Sequence, residues 1–110
     1  MTIRELADSG KYKLVCESDN MDRHIEGVFC CDLLSIAMSK APEGSAWVTV
    51  MANLNTLAVA QLTDVACIIL AHGMSADEVM INKAKMQGIP VFETEDAIFE
   101  TADFINRKIR

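Results

Sequence analysis

Small polar side chains and one histidine–glycine pair occur where runs of apolar, β-forming residues end. Seven residues of this kind are Asp32, Ser35, Asn53, Asn55, His72, Gly73 and Ser75. A histidine can exchange a proton near neutral pH, and a glycine allows backbone conformations that other residues avoid. The small polar residues can alternatively act as simple helix caps. The pattern predicts a ligand-binding site and does not specify a reaction.

The known signatures of catalysis are missing from the chain. It contains no GxxxxGK[ST] phosphate loop and no GxGxxG, GxSxG or HExxH motif. Without a phosphate loop we expect no kinase activity, because nothing holds the β- and γ-phosphates and magnesium for transfer. Two alternatives stay open: a metal site of His24, His72 and a cysteine, or a nucleophile–base pair of Cys31 with His72. We predict no catalytic residue, no metal ligand and no cofactor.

Charge and cysteine content narrow the function classes further. The formal net charge of −6 at pH 7 disfavours nucleic acid as a partner. The four cysteines have no CxxC spacing, and we interpret them as small buried hydrophobes in a reducing compartment. The first residues are mixed and charged, and the longest apolar run is far shorter than a membrane span. We therefore expect a cytoplasmic protein without a membrane partner.

The segment Val65–Ala71 is the most informative stretch for the fold. Its seven apolar residues show no alternation with polar ones, which indicates a strand that is covered on both faces. Such strands are typical of parallel sheets. Ser75 and Glu78 have the spacing of a capping box, so we expect a helix to begin at Ser75 and to fold back over the sheet.

The remaining elements alternate in the same way. Four further strands are predicted within Tyr12–Cys16, Ile25–Cys31, Ala46–Met51 and Ile89–Phe92. Five helices are predicted with Thr2, Asp32, Asn53, Ser75 and Thr94 as caps. Their apolar faces are assigned to residues including Leu57, Val59, Ala60, Leu62, Val79, Met80, Ala84, Met86, Ile98, Phe99, Ala102 and Ile105. This order predicts an α/β fold: residues 1–110 form a single layered domain with a mostly parallel sheet covered by helices.

Five segments of the chain resemble the DRTGG domain family. They are residues 22–35 (DRHIEGVFCCDLLS), 44–49 (GSAWVT), 55–60 (NTLAVA), 68–73 (IILAHG) and 88–91 (GIPV). Asp22 and Arg23, with Gly27, approximate the motif that gives the family its name. The resemblance extends over nearly the whole chain.

The resemblance implies a regulatory module. Related domains occur beside CBS domains in regulated pyrophosphatases, in some phosphotransacetylases, and as the non-catalytic N-terminal part of HPr kinase/phosphorylase. Small stand-alone versions are similar to proteins encoded near iron-hydrogenase subunits.

Three hypotheses about function follow. The first is a sensor that binds an adenine nucleotide or another small anion-bearing ligand at the carboxyl ends of the strands. The second is a homodimer, or an accessory subunit of an iron-hydrogenase-type redox enzyme, that docks through exposed apolar groups. Candidates for those groups are Trp47, Phe29, Met74, Met80 and Met86. The third is a cryptic thiol or metal enzyme.

Overall fold

A computed structural model describes all residues, 1–110, of the chain. In chain order the elements are α1 (Ile3–Asp8), β1 (Lys13–Cys16), β2 (Gly27–Cys30), α2 (Leu34–Lys40), β3 (Ser45–Thr49), α3 (Leu54–Thr63), β4 (Cys67–Leu70), α4 (Glu78–Gln87), β5 (Val91–Glu93) and α5 (Ile98–Ile109). The five strands form one sheet in the order β1-β5-β4-β3-β2. None of the helices is long and apolar enough to cross a membrane.

Strand β4 lies at the centre of this sheet. It pairs in parallel with β3 on one side and with β5 on the other, and β2 continues the parallel part beyond β3. Only β1 is antiparallel, on the outer side of β5. Every residue of β4 is buried. The predicted α/β class and the mostly parallel sheet are therefore confirmed.

The helices cover both faces of the sheet, but unequally. From β2 to β5 the chain crosses the sheet without reversing direction, and α2, α3 and α4 all lie on one face. There Leu57 of α3 and Met80 of α4 pack with Ile68 and Leu70 of β4. On the other face, Ile3 of α1 and Ile105 of α5 pack with the alternate residues of the sheet. From α2 to α4 the helices therefore stay on one face, and after β5 the chain changes to the other face.

Two predicted helix starts are confirmed. Thr2 and Glu5 form a reciprocal capping box at α1, because the Thr2 hydroxyl accepts from Glu5 N and the Glu5 carboxylate accepts from Thr2 N. The Asn53 side chain accepts from the amides of Asn55 and Thr56 at the start of α3. Gly88 ends α4 in the left-handed conformation, as predicted from its position.

Three predicted caps are wrong. Asp32 accepts hydrogen bonds from Thr49 Oγ1 (2.7 Å) and Val50 N (2.9 Å) instead of capping α2. Helix α4 begins three residues after Ser75, with Asp77 as its cap. The Thr94 hydroxyl accepts from Asp96 N within its own turn, and α5 begins only at Ile98. Asp32 is therefore bonded to the end of β3 instead of to α2, whereas α4 and α5 begin further along the chain than predicted.

Several apolar side chains that were predicted to face the core are exposed. Leu62, Val79, Met86 and Phe99 are 72%, 61%, 80% and 75% exposed, although Met80, Ala84 and Ile105 are buried as predicted. Each helix touches the sheet along a narrow stripe, so apolar residues beside the stripe remain outside it.

Trp47 departs from the docking role that was expected for it. Its side chain is completely buried, because β3 is an interior strand, and its Nε1 donates to the carbonyl of Cys31 at 3.0 Å. Met80 is buried as well, whereas Phe29 is half-buried on the edge strand β2. Of the proposed apolar contacts, only Met74 and Met86 are largely exposed.

The cysteines follow the expected pattern only in part. Cys16 and Cys67 are buried, but Cys30 is exposed and Cys31 is half-buried, because both lie at the uncovered edge of the sheet. Burial raises the pKa of the Cys67 thiol to about 12 and also raises the pKa of Cys16. Desolvation, with the nearby Asp32 charge, raises the pKa of Cys30.

Arg23 links two segments that are remote in the sequence. Its guanidinium donates to both carboxylate oxygens of Asp64, at 3.0 and 3.2 Å, and to the backbone carbonyl of Asp64 at 2.8 Å. Asp64 ends α3 with a positive φ of 57° and leads directly towards β4. The contact therefore stabilises the turn that leads into the central strand, β4.

We predict that Arg23→Ala lowers the free energy of unfolding by about 1 to 2 kcal/mol, because charge-assisted bonds to a turn are lost. Urea denaturation measures the change. Arg4→Ala is the matched control, since its partner Asp22 lies at the surface and the pair is open to solvent. An equal loss in the two variants would contradict a special role for Arg23.

Candidate functional site

A groove lies at the carboxyl ends of β4 and β5. The connection after β4 leads to α4 on one face of the sheet, and the connection after β5 leads to α5 on the other. Neighbouring connections that diverge in this way leave a crevice, which is where open α/β sheets bind ligands. The groove has a volume of about 480 Å³, which is within the usual range for small-molecule sites.

Seven of the nine residues that line the groove are polar or charged. The lining residues are Lys11, Lys13, Gly73, Met74, Ser75, Glu93, Thr94, Glu95 and Asp96. Met74 is the one large apolar side chain among them. Such a surface suits a ligand that carries charges and hydroxyl groups, because an apolar ligand would leave these polar groups without partners.

Some of the charged groups are already occupied within the chain. Lys11 forms an ion pair with Asp96, with 3.3 Å between Nζ and Oδ2. The Glu93 carboxylate accepts from Ala76 N at 2.8 Å. Lys13 and Glu95 form no ion pair, so one positive and one negative group remain free to contact a ligand. The backbone N–H groups of Ser75 and Glu95 have no acceptor in the chain either.

Gly73 brings the two walls of the groove into close approach. Its φ of +74° lies in the left-handed region, and a Cβ at this position would lie 2.6 Å from Glu95 Oε2. Its amide donates to the carbonyl of Thr94 at 2.9 Å. Glycine is favoured at this position, because any other residue would strain the backbone and displace the Glu95 carboxylate.

His72 has a role that sequence reasoning missed. It also has a positive φ, 57°, and its amide donates to the carbonyl of Asp96 at 2.8 Å. Its ring Nε2 accepts from the amide of Ile98 at 3.2 Å, so the histidine caps α5 from a different connection. The only signal in the sequence is indirect: Ala97, the residue at the cap position of α5, cannot accept a hydrogen bond through its side chain.

The other four predicted site residues lie elsewhere on the same edge of the sheet. Asp32, Ser35, Asn53 and Asn55 follow β2 and β3, and none of them lines the groove. Helices α2 and α3 lie on the same face, so the connections after β2 and β3 do not diverge. Gly73 and Ser75 line the groove and His72 supports it, whereas these four do not share a cavity with them.

The geometry does not assemble the proposed thiol or metal groups. His24 precedes β2 and forms a bridge with Thr2, so it lies at the opposite edge of the sheet from His72. The Cys31 thiol donates to the Leu33 carbonyl at 3.3 Å, and the ring of His72 is bonded to Ile98. The described chain contains no group of three metal-ligating side chains.

The comparisons with known proteins agree with the fold. The family model for the DRTGG domain matches residues 5–108. The chain belongs to the DRTGG domain family. No curated protein sequence matches it. A solved structure with a similar fold is that of the CBS and DRTGG domains of the regulatory region of Clostridium perfringens pyrophosphatase, complexed with the activator diadenosine tetraphosphate.

That structure and this DRTGG domain share 15% sequence identity with a TM-score of 0.78, over 94% of this chain. The chain spans 45% of the length of the pyrophosphatase chain. At this level of identity the comparison shows a shared fold.

The segment that approximates the family motif lies far from the groove. Arg23 lines a smaller cavity of about 110 Å³ at the amino ends of the strands, together with Asp64 and Gln87. A water molecule occupies roughly 30 Å³ of liquid volume, so this cavity has room for a few waters and is too small for a nucleotide. In this DRTGG domain, Arg23 contacts Asp64.

We predict that Gly73→Ala lowers the free energy of unfolding by about 1 to 2 kcal/mol, because alanine is strained in the left-handed region. Gly88→Ala is the matched control, since Gly88 has a φ of +70° but no atom near an added Cβ. Both variants should lose similar stability in urea, and only Gly73→Ala should shift the NMR signals of Glu95. A Gly73→Ala protein as stable as the wild type would contradict the left-handed turn.

Proposed function

We propose that this DRTGG domain is a non-catalytic regulatory module that binds an adenine nucleotide, or a similar small anion-bearing ligand, in the groove at the ends of β4 and β5. The observation that carries the proposal is the groove itself, a polar crevice with an unpaired lysine, an unpaired glutamate and free backbone amides. The pyrophosphatase regulatory region, part of which shares this fold, was solved with its activator diadenosine tetraphosphate.

The phosphates and the ribose of a nucleotide each have a complementary group in the groove. Lys13 and the Ser75 amide are donors for a phosphate oxygen, and Lys11 lies beside them. The Glu95 carboxylate accepts hydrogen bonds, as acidic residues do from ribose hydroxyls in dinucleotide-binding folds. His72, Gly73 and Ser75 are the predicted site residues that this proposal retains. Asp32, Ser35, Asn53 and Asn55 have no part in this groove.

The proposal is non-catalytic for a chemical reason. The groove contains no nucleophile paired with a base, and His72 already accepts a hydrogen bond from Ile98. The chain also lacks a phosphate loop for phosphoryl transfer. Binding would therefore act through conformation or through the partners of the domain.

We expect the double variant Lys11→Gln/Lys13→Gln to weaken nucleotide binding by at least about tenfold, which corresponds to 1.4 kcal/mol. Two cations that face the phosphates are removed, while the amides remain. Isothermal titration calorimetry with AMP, ADP, ATP and diadenosine tetraphosphate measures the affinity. Binding should also weaken with added salt, because the contacts are electrostatic.

The matched control is Lys40→Gln/Lys83→Gln, which changes the net charge equally but alters exposed lysines on α2 and α4, outside the groove. We expect this control to bind like the wild type. Equal weakening in both double variants would indicate a general charge effect and argue against the groove. No heat and no thermal shift with any of the four nucleotides at millimolar concentration would contradict the nucleotide proposal.

A second candidate function, homodimerisation, is favoured by the surface of α2. Leu33, Ile36 and Met38 are 58%, 46% and 54% exposed, and Ala37 is the only fully buried residue of this short helix. The adjacent strand β2 is an edge strand without a charged residue, so no charge protects it from pairing. We propose that these groups form the contact between two copies, or with an iron-hydrogenase-type redox enzyme.

We expect the wild-type chain to have twice the monomer mass in light scattering at about 100 µM, a concentration at which micromolar dimers are populated. Ile36→Glu should give monomers, because it places a charge in the contact. Met86→Glu is the control, since Met86 is 80% exposed on α4. A monomeric wild-type protein would rule out the homodimer and leave the α2 surface for a different subunit.

A further inference from the structure

The connection between β4 and α4 is bonded to the connection between β5 and α5 at three points. The amides of His72 and Gly73 donate to the carbonyls of Asp96 and Thr94, at 2.8 and 2.9 Å. The third bond runs in the opposite direction, from the amide of Ile98 to the His72 ring at 3.2 Å. Thr94 and Asp96 line the groove, so these bonds hold one wall against the other.

The third bond depends on the protonation state of His72. Nε2 can accept a hydrogen bond only while the ring is neutral and carries its proton on Nδ1. An imidazolium ring has donors on both nitrogens and no acceptor. It would also place a positive charge at the N-terminus of α5, where the helix dipole is positive.

Helix α5 has no substitute for this cap. Its own cap residue is Ala97, which makes no side-chain hydrogen bond, and the Thr94 hydroxyl is used by Asp96 N. Loss of the His72 contact therefore leaves the Ile98 amide without an acceptor from the chain, and one of the bonds between the two walls of the groove is lost.

Charged residues occur on the segments that meet at this contact. Glu95 and Asp96 lie on the connection that His72 contacts, and Glu100 lies in the first turn of α5. Lys11 forms an ion pair with Asp96. Its own connection contributes Asp77 and Glu78. Apart from Lys11 these residues carry carboxylates.

We infer that His72 is a positioning residue that couples the groove to pH, holding the binding wall in place when neutral and releasing it when protonated. Only the neutral ring can accept the Ile98 amide, so the contact is present in one charge state of the imidazole and lost in the other. A ligand that requires the intact wall binds more weakly on the acidic side. This last step rests on the proposed function, whereas the structural switch does not.

The switch is tested without a ligand, by following the amide signal of Ile98 in NMR spectra from pH 7.5 to 5.5. We expect a titration in the wild type and in His24→Gln, which removes the other histidine at the far edge of the sheet. His72→Gln keeps an acceptor that does not titrate, so its Ile98 signal should stay constant. His72→Asn is the alternative variant, because asparagine tolerates a positive φ. A constant signal in the wild type, or the same titration in the His72 variants, would overturn the inference.

The linkage to binding is tested with diadenosine tetraphosphate, whose phosphates are all bridging and do not titrate in this range. Wild-type affinity should fall by about tenfold from pH 7.5 to 5.5, as expected for one lost contact. The His72→Gln affinity should be nearly independent of pH. An equal pH dependence in both proteins would overturn the linkage. A titrating Ile98 signal with no binding at any pH would support the switch and reject the proposed ligand.

Discussion

The carboxyl ends of β4 and β5 impose the constraint on which the rest of the structure depends, because the helices that follow them lie on opposite faces of the sheet. Strand β4 is buried on both faces, so its connection can reach solvent only at the edge of the sheet. The connection after β5 leads to α5 on the other face. The two segments diverge above a polar groove, and no other pair of parallel strands in the sheet produces this geometry.

Backbone hydrogen bonds fix the two walls of the groove relative to each other. His72 and Gly73 both have positive φ angles, and their amides bond to the opposite connection. A turn that is bonded in this way loses little further freedom when a ligand binds, which favours affinity. The same turn brings a titratable ring to the start of α5. The contacts between the two walls and the cap of α5 therefore arise from the same two residues, His72 and Gly73.

Much of the fold was predictable because its causes are local. The apolar segment Val65–Ala71 indicated the central strand, since burial on both faces excludes alternation. Thr2 and Asn53 capped the helices that follow them, because a cap contacts amides only two or three residues away. The prediction of Ser75 as a cap was wrong because Asp77, two residues later, can also cap a helix and does so. The Glu93 carboxylate accepts from the Ala76 amide and keeps the segment around Ser75 outside the helix.

The candidate site was predictable only as an edge of the sheet. The sequence placed seven polar residues at the ends of strands, but it could not separate Gly73 and Ser75, which line the groove, from Asp32 and Asn53, which do not. That separation depends on which helices share a face. The burial of Trp47 could not be predicted for a similar reason, because it follows from the interior position of β3 in the strand order.

By itself, the sequence determined the kinds of elements, their order, the buried central strand and the resemblance to the DRTGG family. Only the tertiary structure decided the strand order, the change of face after β5 and the bond from Ile98 to His72 across 26 positions. The physical reason is the range of the interactions. Periodicity and capping act within a few residues, whereas a groove forms between segments that become neighbours only after the sheet is assembled.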